Sequence, residues 1–188
     1  MNKMRCKIEN NSDLNIDEVE PLLSSLYGYI DDRLKFTHPA TIQLNVDPDD
    51  AGNPLRKTAH YQPHSSTVTV FVDGRHLKDV LRSIAHELIH HHQNCKGAFD
   101  RPIDTSLGYA QTNPFMRGLE KQAYKLGNIF FRDWEDSMKQ TLNENTDNGK
   151  KEVMKGNENN QQPKKVETND QWYQNTLYQN LIKRWVKK

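Results

Sequence analysis

The chain lacks most of what would mark a secreted, membrane or nucleic-acid-binding protein. Its only two cysteines, Cys6 and Cys95, lie far apart, which is too few for a disulfide framework, so a reduced intracellular setting is expected. No apolar run approaches the ~20 residues needed to span a bilayer. The polar, charged N-terminus offers no apolar stretch of signal-peptide type. With a formal net charge of +1 there is no global basic field, and no nucleic-acid partner is expected. Apolar residues are 34% of the 188, enough for one modest core with part of the chain outside it.

What is present reads as an α+β domain over 1–140. Leu23, Leu26, Ile30 and Leu34 recur at helical steps and predict a helix over 17–36. Pro21 falls near its start, where amides lack helical partners. Residues 41–46 alternate as a half-buried strand, 59–61 suggest a short strand, and 67–72 (TVTVFV) form the strongest strand pattern. A helix over 76–94 follows, with Leu77, Leu81, Ile84 and Leu88 on one stripe. Residues 95–114 look irregular. A second long helix is expected over 115–140, its stripe being Leu119, Ala123, Leu126, Phe130 and Trp134.

Residues 141–169 contain no aromatic residue and are dominated by Asn, Lys, Glu and Gln, a composition that cannot bury enough apolar surface to offset its ordering entropy and therefore reads as a linker. Beyond it, Trp172, Leu177, Leu181, Ile182 and Trp185 form a short apolar pattern in a Lys-rich end. This predicts a tethered docking helix over 170–188.

The chemical signal is His86-Glu87-Leu88-Ile89-His90, an H-E-x-x-H string. On a helix, residues four apart lie about 40° apart around the axis, so both imidazoles can reach one tetrahedral Zn2+. Glu87 falls beside the metal, placed to take a proton from activated water. Eight histidines make a chance match a real competitor; against it stands the placement of the string in a strong helix directly after a strand. His91 and His92 point away from the His86/His90 face and read as surface or outer residues.

A third ligand is needed, and no histidine occurs after His92. The metzincin pattern requires glycine and histidine where this chain has Gln93 and Lys96. A carboxylate is therefore expected. Glu120, on the next helix and followed one turn later by the small Ala123, is the choice; Asp100 and Asp104 are the rivals. A His₂Glu set leaves the open position that catalysis requires.

With these residues the chain resembles the gluzincin superfamily of zinc peptidases, over roughly 40–140, and looks most like its small single-domain members. The resemblance implies a zincin-like domain with a short mixed sheet, an active-site helix and a glutamate helix. It also implies a zinc metalloendopeptidase activity on protein or peptide substrates. His86, Glu87, His90 and Glu120 match the pattern, and Ala123 fits an E-x-x-A form. Tyr124 departs from it, standing where the thermolysin branch has aspartate, and leaves the outer partner of the zinc-binding histidines unassigned. The family's substrate-pairing edge strand would be 67–72, with an ordinary covered strand as the equal alternative. Tyr109 and Tyr124 are candidate catalytic donors to a developing oxyanion, and His64 is a surface residue by default.

The alternative reading is a structural component of a viral or other large particle, reusing a peptidase-like fold and docked through 170–188. A metal sensor or store is a third class, in which Glu87 would have no task.

Overall fold

Alternation at Thr41–Asn45 and the run of β-branched residues at Thr67–Phe71 do make strands, and they are neighbours. A computed structural model describes residues 6–47, 56–100 and 113–153, with side chains described as far as Met138. In chain order the elements are β1 (Lys7–Asn11), α1 (Ile16–Leu34), β2 (Thr41–Asn45), β3 (Ala59–Gln62), β4 (Thr67–Phe71), α2 (Leu77–Cys95) and α3 (Pro114–Val153), with a 3₁₀ turn at Pro63–Ser65. The four strands form one mixed sheet in the order β1-β2-β4-β3. β1, β2 and β4 are parallel, and β3 runs antiparallel to β4. The result is a small α+β domain.

Two features of the sheet differ from the sequence expectation. β1 was not anticipated: its sequence, KIENN, is polar, and it forms because its backbone pairs with β2 in register Ile8 to Ile42. And β4 is not an edge. It lies between β2 and β3, with Thr67, Val68, Thr69 and Val70 all buried. A strand covered on both faces reads as a continuous run of β-formers. The edge nearest α2 is β3, reached through the 3₁₀ turn.

Val68, Val70, Ile42 and Leu44 meet the buried stripes of α1 (Val19, Leu23, Leu26, Ile30) and α2 (Leu77, Leu81, Ile84, Leu88). Each such side chain contributes about 1.5–3 kcal/mol when fully buried. On the other sheet face a polar row crosses three strands: Gln43 donates to Glu9 at 2.7 Å, and Thr69 donates to Gln43 at 3.3 Å.

α1 spans 16–34, close to the expected 17–36. It ends where Lys35 turns left-handed (φ 54°) and the Phe36 amide donates to Asp31. Pro21 is the sixth helical residue, past the first turn, so one helical hydrogen bond, to the Asp17 carbonyl, is forgone. α2 begins after His76, whose Nδ1 accepts the Lys78 amide at 3.1 Å. It closes at Gly97, with a φ of 78°.

α3 carries a turned face. The buried residues within residues 114–132 are Met116, Ala123, Gly127 and Phe131, while the expected Leu119, Leu126 and Phe130 are only half-buried. Two of these four, Ala123 and Gly127, are small. Gly127 shows why: a Cβ there would lie 2.9 Å from the His86 Cα.

The chain divides into two units, Met1–Arg132 and Asp133–Lys188. Of the second, the described part is the continuation of α3, in which Ser137 donates to the Trp134 carbonyl. α3 runs to Val153, into the segment expected as a linker; the docking helix expected over 170–188 lies outside the described residues. Among the described residues no helix is long and apolar enough to cross a membrane.

Candidate metal centre

α2 supplies His86, Glu87 and His90, and α3 supplies Glu120. Four-residue spacing puts both imidazoles on the face that α3 crosses. Their Nε2 atoms are 3.2 Å apart. The Glu120 carboxylate closes the triangle, with Oε2 3.4 Å from His86 Nε2 and Oε1 3.5 Å from His90 Nε2. Nitrogen and oxygen ligands at about 2.0–2.1 Å from a tetrahedral zinc lie about 3.3–3.4 Å from one another. The donor set therefore fits that ion in type and in size.

The ring of His90 is oriented from behind. Its Nδ1 is 2.8 Å from Gln93 Oε1, one turn on along α2. An Nδ1–H donated to that oxygen leaves Nε2 as the lone-pair nitrogen of a neutral ring, facing His86 and Glu120. Gln93 is itself fixed, donating through Nε2 to the Leu119 carbonyl at 3.0 Å and to Gln122 at 2.9 Å. It thus ties one helix's histidine to the other helix's backbone. The sequence drew attention to Gln93 only as a residue where one family would have glycine; its place three after His90 was the available signal.

Burial opposes protonation of His90, but hydrogen bonding to Glu120 and the charges of Glu87 and Glu120 outweigh it, raising its pKa above the ordinary value. The pocket thus favours positive charge at this point. Glu87 is 8% exposed. Burial pushes its carboxyl above the usual carboxylate range; His90 and His86 pull it back, and Glu120 pushes it further up.

A cleft opens over the three donors and Glu87, walled by β3 residues Ala59, His60 and Tyr61 on one side and by Met116 of α3 on the other. His60 Nδ1 is buried with no hydrogen-bond partner among the described residues. A second hollow along the same helix is bounded by His86, Glu87, Tyr124 and Asn128. Tyr124 is 70% exposed at its rim, its ring 6.5 Å from that of His86.

Other sequence candidates fall elsewhere. Tyr109 and Asp104 lie outside the described residues. Asp100 joins no metal-capable group among the described residues; its carboxylate lies beside Gly97. His64 is exposed. His91, expected at the surface or in an outer layer around the metal, is fully buried: the α2 side turned away from α3 is covered by Phe36, His38 and Tyr61, long-range neighbours that helical angles do not reveal. His92 is half-buried, its Nδ1 without a hydrogen-bond partner among the described residues.

No known protein family, no curated protein and no solved structure matches this chain.

Proposed function

We propose that this chain is a zinc-dependent metallopeptidase of gluzincin type, with His86, His90 and Glu120 as metal ligands and Glu87 as general base. The observation that carries this reading is the triangle of donor atoms, 3.2, 3.4 and 3.5 Å on its edges, beside a buried glutamate. Zinc bound there would supply Lewis acidity and lower the pKa of bound water to about 7.

The chain's own residues account for the rest. Glu87, desolvated and so more basic than a surface carboxylate, accepts the proton of the attacking water and returns it to the departing amine. Gln93 holds His90 in the ligating tautomer. Tyr124, at the rim, is the proposed donor to the developing oxyanion, with Tyr109 a second candidate. Substrate is an extended peptide laid along β3, whose outer side has no strand partner among the described residues.

The test is hydrolysis of a peptide library by metal-loaded protein and its Glu87→Gln variant. Zinc retained near one ion at this site, with hydrolysis lost by about 10²–10⁴-fold, is the expected result. Equal hydrolysis by both proteins, or no metal uptake on titration, overturns the reading.

A further inference from the structure

α2 carries two pairs of donors at four-residue spacing. His86 and His90 face α3. Five residues on, about 140° around the axis, His91 and Cys95 face away from α3, toward the connection between α1 and β2, where His38 lies. We propose that His38, His91 and Cys95 form a second metal site, a thiolate–imidazole site for Zn2+ that fastens this connection to α2.

The donor atoms of the three residues all lie within 4.8 Å of one another. Cys95 Sγ is 3.8 Å from His38 Nδ1 and 3.8 Å from His91 Nε2. With Zn–S of about 2.3 Å and Zn–N of about 2.0–2.1 Å, tetrahedral sulfur and nitrogen ligands sit about 3.5 Å apart. Both contacts need to close by only a few tenths of an ångström. The histidine rings cross nearly at right angles, 87°, with centroids 5.0 Å apart.

The outward nitrogen of each histidine is anchored, which is how metal-binding imidazoles are commonly oriented. His38 Nε2 is 2.9 Å from Ser66 Oγ. His91 Nδ1 is 3.0 Å from Tyr61 Oη, which accepts from Asn94 Nδ2 at 2.8 Å. The inward nitrogens are also engaged: His38 Nδ1 lies 3.1 Å from Thr37 Oγ1, and His91 Nε2 lies 3.0 Å from the His38 carbonyl oxygen. Metal binding therefore moves protons. The Cys95 thiol releases one to solvent. The His91 ring proton passes from Nε2 to Nδ1, where Tyr61 Oη accepts it. The His38 carbonyl oxygen, freed of that hydrogen bond, or a water takes the fourth position.

The site shares no ligand with the centre at His86, and the two can be read apart by cobalt. Titration of fully reduced, metal-free full-length protein with Co2+ should show two equivalents bound, one of them accompanied by a thiolate-to-cobalt charge-transfer absorption. Cys95→Ser should abolish that absorption and one equivalent. Glu120→Ala should leave the absorption and weaken the other equivalent, and Cys6→Ser should change neither. Absence of any charge-transfer absorption in the unmodified protein would reduce the cluster to hydrogen bonds and overturn the proposal. So would an absorption that survives Cys95→Ser and vanishes with Cys6→Ser.

Discussion

The side-chain carbonyl of Gln93 sits 2.8 Å behind Nδ1 of His90, in the place where a carboxylate often stands behind a zinc-binding imidazole. An amide does the same orienting task without adding charge, and its other end can donate to the facing helix, which a carboxylate could not do.

Replacing Gln93 by Leu should therefore lower zinc affinity by about 10–100-fold, the usual effect of removing an outer partner. It also leaves the buried His90 Nδ1–H without its acceptor and breaks the tie to α3, at a cost of about 1–3 kcal/mol in folding. Competition against a chromophoric chelator reads the first effect, and urea unfolding of metal-free protein reads the second. Loss of stability with unchanged affinity would make Gln93 a helix tie only.

Two glycines of α3 should respond oppositely to alanine. At Gly127 the new Cβ meets His86 backbone atoms at 2.9 and 3.1 Å, so the helices must part; a loss of about 1–3 kcal/mol is expected, together with weakened metal binding. At Gly118 a Cβ meets nothing within 4 Å among the described residues, and helix propensity predicts a gain of about 0.5–1 kcal/mol. Denaturant midpoints of the two variants should move in opposite directions.

Asp73 gives the domain an acid limit. Burial raises its pKa, but hydrogen bonds from Arg56, from the Asp47 amide and from its own amide outweigh this and leave it below the ordinary 3.8. A carboxylate depressed in the folded state stabilises fully above its unfolded pKa of about 3.9. That contribution fades as pH falls through the folded value. Asp73→Asn should cost about 1–3 kcal/mol at neutral pH, and its deficit against the unmodified protein should shrink below about pH 4. Thermal melts across that range provide the check; a deficit constant with pH would assign the loss to geometry instead of charge.

Tyr124→Phe removes the proposed oxyanion donor and nothing from the metal shell. Turnover should fall by about 10²–10³-fold, with KM and metal content little changed. Unaltered turnover would remove Tyr124 from the reaction.

Much of this arrangement was legible in local pattern. α2, β4 and the H-E-x-x-H string announce themselves because helix period, β-branched runs and ligand spacing are properties of a few consecutive residues. A carboxylate as third donor follows by elimination, since no histidine lies downstream; Glu120 stood against Asp100 and Asp104 for that place. Sheet order was not legible: residues 67–72 fit an edge strand and a covered strand equally, and only the pairing with β2 and β3 decides for the covered one. β1 was missed because its pairing with β2 comes from the backbone and not from its side chains. His91 was misplaced because helical angles say which way a residue points, not what has been folded against it.

Glu120, Ala123 and Gly127 are spaced by three and four residues along α3, a carboxylate and two residues with almost no bulk on one stripe. The distance between α2 and α3 is thus set at Gly127 by a hydrogen atom where any other residue would place carbon. A search key of H-E-x-x-H followed by E-x-x-A-x-x-x-G would carry that spacing rule into sequence space. It offers a way to find distant kin of this chain.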